Sequence, residues 1–495
     1  MKLSKYILEI TVFTSGAVVM IFELVGSRVL GPFFGTSIFV WTSLIGIILG
    51  SLSLGYYLGG KIADNKPSFT KLSFIIFISA VFIFITFFIK DFILIFLQSN
   101  ISDIRTSSVI ASIVLFSPTS VFLGIVSPYA AKLKLNNLDT SGSTIGNLYA
   151  LSTAGSIIGT FLSGFYLIPN FGTNKLLIIL AIVLILISIL LSFKQLLKIK
   201  FSFFIFVTIF YFLIGDLNLV FKDMIFVDTD TAYNRVWIYD RYSEEYQENI
   251  RTMSINNESS SAMFLDSDKL VYEYTKYYHL AKHFNPDFKT TLMLGGAGYS
   301  YPKNFLLKYP EATIDVIEID PELTELAKQY FNLKDDLRLN IYHEDGRSFL
   351  NTTQKKYDAI FGDAFSSQYS VPYQLTTLEA VQKNYDILNN NGVVVLNIIS
   401  SIEGKDGQFL RAEYTTYKNI FEQVFLFPVR YKDEGSQKQN IILVALKSNK
   451  DQVFTNINPE INEYLQHLWT KEIPSDMPIL TDDYAPVDYY ISQMI

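Results

Sequence analysis

The chain has 495 residues, 50% of them hydrophobic, with a net charge of -7 and no cysteine. That length exceeds one ordinary domain, and the missing thiol excludes disulfides, thiolate nucleophiles and cysteine zinc sites. The acidic balance argues against a nucleic-acid-binding surface, which is usually basic, and His279, His283, His343 and His467 show no metal-ligand spacing.

In chain order, apolar runs come first, at residues 7–27, 37–60, 72–97, 107–131, 143–168, 176–193 and 201–218. Most are long enough to cross about 30 Å of hydrocarbon, which takes about 20 helical residues, and such a succession is no signal peptide. Runs such as LLIILAIVLILISILL have no polar face for water. The pattern predicts an all-α polytopic membrane bundle of six to seven helices over residues 1–220, a multi-pass protein of the cell membrane with the lipid bilayer as a partner. Glu23 sits inside the first run with Arg28 shortly after, and an ionisable group at that depth faces protein or water. Gly, Ser and Ala in GIILGSLSLGYYLGG and STAGSIIGTFLSG let helices approach closely.

Next, TAYNRVWIYD and TMSINNESSSAMFLD alternate like hairpin strands and predict a small β-hairpin domain at residues 225–268. From residue 269 to 495 strand and helix alternate. TTLMLGG reads as a strand, Pro302 suits a helix's first turn, ATIDVIEID is a second strand, and Asp320 is the expected N-cap of the helix opened by Pro321. LRLNIYHED, YDAIFGD and GVVVLNII follow as strands three to five, with helices at 346–353 and 375–388 between. Such alternation predicts a parallel sheet covered on both faces, an α/β Rossmann-like fold.

Ligands of such sheets gather at the carboxyl ends of the strands. Four strands there deliver Gly295, Gly296 and Gly298, then Glu318, then Asp345 with Gly346, then Asp363. A glycine turn followed by an acid about twenty residues later is how this fold holds a nucleoside, with bare backbone at one end and a carboxylate on the ribose. Tyr299, Ser300 and Tyr301 follow Gly298, so the third glycine of a dinucleotide fingerprint is missing and a pyrophosphate is disfavoured. An S-adenosylmethionine-type ligand needs instead a glycine turn, an acid after strand two and an acid after strand three. This chain supplies that set.

On these motifs, residues 228–450 resemble the spermidine synthases, aminopropyltransferases whose hairpin domain precedes a methyltransferase-like Rossmann fold. The apolar half resembles the membrane-fused branch of that family, and LTDDYAPVDYY resembles an ending found there. The resemblance implies that Asn234 stands where a Gln holds the ligand's methionine-like end, that Glu318 takes the ribose diol, that Asp345 takes the adenine amine, and that Asp363 is the catalytic carboxylate. It implies S-adenosylmethionine or its decarboxylated form as co-substrate, with no permanently bound cofactor and no metal, an amine as second partner, and a homo-oligomer. The chain departs from the family at Ala297, where an Asp grips the ligand's amino group, at Ser366, where a second carboxylate meets the diamine, and at Tyr274 and Thr275, where a Tyr-His pair is usual. Tyr274 and Ser366 are thus the substrate-side positions. Glu273, Tyr274, Tyr278, Asp482 and Asp483 are the residues that could restore the lost counter-charge.

The expected activity is a membrane-bound transfer of an (amino)propyl group to an amine with release of methylthioadenosine. The alternatives are an acceptor-free lyase releasing methylthioadenosine, a methyltransferase, or a non-catalytic nucleoside sensor coupled to a transporter-like bundle. Lys2, Lys5, Lys61, Lys66, Lys71, Lys132, Lys134, Lys194, Lys198 and Lys200 flank the runs on one side, against Arg28, Lys90, Arg105 and Lys175 on the other, so the amino terminus is expected in the cytoplasm. Seven full crossings would leave the soluble half outside, away from nucleoside cofactors. The seventh run is only about 15 residues long before Asp216, short for a span, which keeps the soluble half on the cytoplasmic side.

Overall fold

A computed structural model describes residues 6–101, 103–135, 141–192, 197–213, 226–364 and 371–494. The chain divides near residue 217 into two compact units.

The first unit is helical: α1 (Ile7–Phe34), α2 (Ile38–Asp64), α3 (Phe69–Asn100), α4 (Ile104–Lys134), α5 (Ser141–Leu162), α6 (Ile168–Leu191) and α7 (Leu197–Leu213). Among the described residues, five helices are long and apolar enough to cross a membrane, the fifth being the continuous path Ser141–Leu191. At 51 residues that path would extend about 75 Å if straight, more than twice the hydrocarbon core. A π-helical turn at Ser163–Leu167 and a left-handed Gly172 (φ 68°) interrupt it, so the fifth and sixth apolar runs share one broken helix. α7 has 17 residues.

Small residues set the helix contacts. A Cβ on Gly159 of α5 would lie 2.6 Å from the Ala17 carbonyl oxygen of α1, and one on Gly55 of α2 would lie 2.9 Å from the Gly124 Cα of α4. Replacing Gly159 with Leu should therefore part α1 from α5, at a cost of about 1–3 kcal/mol, and lower the thermal midpoint of the detergent-solubilised protein. An unchanged midpoint contradicts this packing. Glu23 is buried on α1. Lys200 is buried too, its Nζ donating to the Ser73 hydroxyl and the Ser188 carbonyl, so it ties α7 to α3 and α6 rather than marking a wet flank.

The second unit opens with a four-stranded antiparallel sheet in the order β1 (Phe226–Asp230), β2 (Arg235–Ser243), β3 (Glu248–Ile255) and β4 (Glu258–Phe264). Short helices α8 (Glu273–Lys276) and α9 (Leu280–Phe284) lead to the main sheet. It is built from β5 (Thr290–Leu294), α10 (Ser300–Lys308), β6 (Thr313–Ile317), α11 (Pro321–Tyr330), β7 (Leu339–Tyr342), α12 (Gly346–Thr352), β8 (Tyr357–Gly362), α13 (Leu378–Ile387), β9 (Leu388–Ser400), α14 (Gln408–Ile420), β10 (Gln423–Pro428) and β11 (Gln439–Leu446). Asp320 caps α11 as expected, accepting from the Glu322 amide.

The order is β10-β11-β9-β8-β5-β6-β7. Strands β9, β8, β5, β6 and β7 run parallel, but β11 pairs antiparallel with both β9 and β10. The five strands expected from the sequence run parallel, and β10 and β11, which that reading did not include, extend them into a mixed sheet. Only a short loop joins β10 to β11, and a short loop can join only antiparallel neighbours. Successive strand residues feed opposite faces, Phe361 and Val395 packing with Tyr278 and Phe305 on one side, Ile360 and Val394 with Phe409 and Tyr417 on the other. Burial on both faces explains why these strands read as continuous apolar runs.

Candidate active site

β5, β6 and β8 end at Leu294, Ile317 and Gly362, so the next residue of each is Gly295, Glu318 or Asp363. The glycine turn is forced by crowding. Gly295 adopts φ +94°, and a Cβ there would lie 2.5 Å from the Asp363 carbonyl oxygen; any side chain would push the turn off the end of β8. A Cβ on Gly296 would meet the Tyr299 ring at 2.7 Å and one on Gly298 would meet Ser261 of β4 at 2.7 Å. Ser261 also accepts a hydrogen bond from the Gly298 amide (3.0 Å), which docks the small sheet on the turn. Ala297 and Tyr299 hold positive φ without being glycine (44° and 53°). Gly346 has ordinary clearance, its nearest neighbours being Leu375 and Leu294.

Glu318 locks this turn. One of its oxygens accepts from the amides of Gly296 and Ala297 (2.9 Å each) and the other from the Asp320 amide (3.0 Å). Burial pushes its carboxyl above the usual range, and these three amides pull it back in part. Each carboxylate oxygen carries more than one acceptor position, so two hydroxyls can still join. Beside it, Asp320 accepts from the Thr231 hydroxyl (2.5 Å) and the Asn234 amide (3.0 Å), while the Asn234 carbonyl oxygen accepts from Asn256 (2.8 Å). Asn234 therefore stands in the crevice with both ends of its side chain engaged. Asp345 is half-buried and caps α12 through the Ser348 amide (2.9 Å).

Asp363, just past the end of β8, is half-buried. One oxygen accepts from the Tyr274 hydroxyl (3.1 Å) and the other from the Asn397 amide (3.1 Å). Asn397 is oriented in turn by Asn440 of β11, whose amide donates to it at 3.0 Å. The Tyr278 hydroxyl faces the same carboxylate without a well-formed hydrogen bond. Burial raises the Asp363 carboxyl, and Asn397, Tyr274 and Tyr278 oppose that rise. Tyr274 and Tyr278 are pushed far above the usual phenol range, first by burial and then by Asp363. Both therefore stay protonated donors. Tyr272 stacks on Tyr274 at 6.1 Å, and Tyr278 meets Tyr274 edge-on at 6.2 Å, so aromatic rings wall this acid.

Direct contacts thus link Gly295 with Asp363, Gly296 with Glu318 and Tyr274 with Asp363 at the ends of β5, β6 and β8, with Gly298 in the same turn, Asn234 joined through Asp320, and Asp345 and Gly346 at the next strand end. Ser366 lies outside the described residues. Of the residues that could restore a counter-charge, Glu273 is paired with Lys276 (2.6 Å) and Asp482 with Arg347 (2.7 Å), whereas Tyr278 faces Asp363. The sequence reading missed Asn397, Thr231 and Ser261. Asn397 had a signal, an amide interrupting the apolar run GVVVLNII. Thr231 and Ser261 had none, since each acts across separate sheets.

Residues 272–432 match the spermine/spermidine synthase domain. The chain is 28% identical over 236 residues to a polyamine aminopropyltransferase of Vibrio vulnificus, covering 45% of this chain and 76% of that one. It is 33% identical over 165 residues to one of Streptococcus uberis, covering 32% and 56%, and spans about half (48%) of a probable polyamine aminopropyl transferase of Bifidobacterium longum. An eEF1A lysine and N-terminal methyltransferase of Xenopus laevis is 27% identical over 196 residues, covering 38% of this chain and 26% of that protein. Among solved structures, a probable spermidine synthase of Corynebacterium glutamicum aligns with a TM-score of 0.41 at 22% identity, covering 48% of this chain and 86% of that one.

Proposed function

From a soluble half that is spermidine synthase-like and carries that family's domain at residues 272–432, we propose an aminopropyltransferase acting on a sulfonium nucleoside, S-adenosylmethionine or its decarboxylated form. The observation that carries this reading is Asp363, held by Tyr274 and Asn397 at the end of β8 and touching the glycine turn that Glu318 closes. In this proposal Glu318 receives the ribose hydroxyls, Asp345 the adenine amine at the mouth of α12, and the turn Gly295–Gly298 the sulfonium side of the nucleoside. Gly346 lets the base approach. Asn234 serves the methionine-like end, acting through Asp320 unless the ligand displaces one of its protein partners.

The chemistry is a displacement at carbon. The acceptor amine attacks the alkyl carbon bonded to the sulfonium as the carbon–sulfur bond breaks, and the electron pair of that bond stays on sulfur. Methylthioadenosine leaves neutral, and the nitrogen's surplus proton passes to Asp363. A carboxylate in that role must be ionised and within hydrogen-bond reach of the nitrogen. Its donors keep it available despite burial, and the protonated tyrosines give the cation a π-rich wall.

This predicts a pH dependence. Activity falls as pH drops through the raised pKa of Asp363, because the protonated acid accepts nothing. Replacing Asn397 with Leu removes a donor to the ionised form, raises that pKa further and moves the acid limb of the kcat/KM profile to higher pH. An unmoved limb contradicts the role given to Asn397.

The likeness to the Xenopus methyltransferase favours methyl transfer from the same pocket as the second reading. Incubation with S-adenosylmethionine, its decarboxylated form and an amine separates the two, methylthioadenosine supporting the first and adenosylhomocysteine the second. An acceptor-free release of methylthioadenosine would leave the amine unconsumed. We place the helical unit in the membrane with the soluble half on the cytoplasmic side. Proteolysis of right-side-out sealed vesicles should leave that half intact, and its digestion there would refute the placement.

A further inference from the structure

The strands of the small sheet carry Arg235, Arg241 and Arg251. Two of these hold a carboxylate through two bonds each, Arg235 on Asp228 (3.1 and 2.9 Å) and Arg251 on Asp240 (2.7 and 3.0 Å). Arg241 differs. Its Nε donates to the Thr252 hydroxyl (3.2 Å), and no carboxylate among the described residues pairs with its guanidinium. Arg241 lies opposite Ile250 in the β2–β3 register, and directly opposed residues share a sheet face. Ile250 packs with Ala262, Phe264 and Val271, and Tyr272 rests on that cluster. The Tyr272 hydroxyl is buried and faces Ser259 and Arg241 without a well-formed hydrogen bond. Its ring stacks on Tyr274, whose hydroxyl donates to Asp363. We propose that Arg241 and Tyr272 form a subsite for a carboxylate group carried by a substrate of the Asp363 crevice.

The chemistry of the two groups selects that ligand. A guanidinium offers five N–H donors in a planar fork, of which Thr252 takes one. Burial raises the Tyr272 phenol above its usual range, so it too stays a donor. A carboxylate supplies the negative charge and the paired oxygens that match the fork, with acceptor capacity left for the hydroxyl. An ammonium would meet like charge here and bring no acceptor. A neutral polar group would leave the guanidinium without a counter-charge.

Position limits what carries the carboxylate. Tyr274 alone stands between Tyr272 and Asp363, 6.1 Å from the first ring to ring and 3.1 Å from the second through its hydroxyl. A molecule with its reacting end at Asp363 and its anion at Arg241 therefore spans about one tyrosine. Two participants in the proposed transfer have that build: an aliphatic amine acceptor ending in a carboxylate, and the sulfonium nucleoside in its undecarboxylated form. The subsite rests on that reaction for its place in the crevice and narrows its substrates to a carboxylated one.

The test uses the full chain in detergent and compares two pairs of probes by calorimetry, 4-aminobutanoate against 1,4-diaminobutane and S-adenosylmethionine against its decarboxylated form. The carboxylated member of one pair should bind at least about tenfold tighter, and the pair that discriminates identifies the molecule that carries the anion. The preference should shrink as salt is raised, because Arg241 is exposed. Arg241→Met keeps the stem and should bring the ratio to about one, Arg241→Glu should invert it, and Tyr272→Phe, which keeps the stacked ring, should lower it in part. With one side-chain hydrogen bond lost, Arg241→Met should melt close to the parent; if it melts far lower, the reduced preference in Tyr272→Phe carries the test. No preference in either pair, or a preference undiminished in folded Arg241→Met, overturns the subsite. Methylthioadenosine formed without such a preference overturns the subsite alone, and a preference without any transfer product overturns only the reaction.

Discussion

Asp363→Asn is expected to lower turnover by about 10²–10⁴-fold, the span of a positioned general base, while binding of the sulfonium nucleoside changes only a few-fold. The amide matches the acid in size and keeps one acceptor for Tyr274 or Asn397, but it cannot take the amine's proton. A loss in kcat with KM for the nucleoside preserved is the signature of an interaction made in the transition state. Two results would separate this role from a structural one. Tyr274→Phe, which removes one donor to the acid (3.1 Å), should weaken turnover less than Asp363→Asn and shift the acid limb upward. If Asp363→Asn retains the parental rate, the base lies elsewhere.

The second large effect is at Glu318. Its carboxylate satisfies three backbone amides of the turn and of the segment leading to α11. Glu318→Ala leaves those buried donors unpaired, and at about 1–3 kcal/mol for each unsatisfied group the second unit loses several kcal/mol even before ligand is considered. Urea unfolding should therefore show a lowered midpoint, and nucleoside binding should vanish because the turn no longer holds its shape. Glu318→Gln keeps one acceptor oxygen but turns an NH₂ toward amide donors, so it falls between the two. Parental stability in Glu318→Ala would mean that the turn stands without its acid.

The sequence made much of this site legible for a physical reason: residues at the ends of parallel strands converge whatever their separation along the chain. Gly295, Glu318 and Asp363 could be named from strand endings alone, and Asp320 from its place before Pro321. What escaped were contacts made between sheets. Ser261 reaches the glycine turn from β4, and Thr231 reaches Asp320 from the segment after β1; neither carries a local pattern, because no helical or strand period links them to their partners. The β10–β11 pair was missed since its apolar runs resemble a parallel core, and only the short loop between them betrays the reversal. In the helical unit, seven apolar runs did not disclose that two of them share one helical path broken at Gly172, because hydropathy reports burial and not chain direction.

The most direct test of the central claim is product analysis by mass spectrometry, with purified full-length protein, decarboxylated S-adenosylmethionine or S-adenosylmethionine, and 1,4-diaminobutane. The proposed chemistry predicts methylthioadenosine formed in step with an amine heavier by one alkyl unit, both lost in Asp363→Asn. Adenosylhomocysteine as the nucleoside product, or neither product from protein that binds the nucleoside, would contradict it.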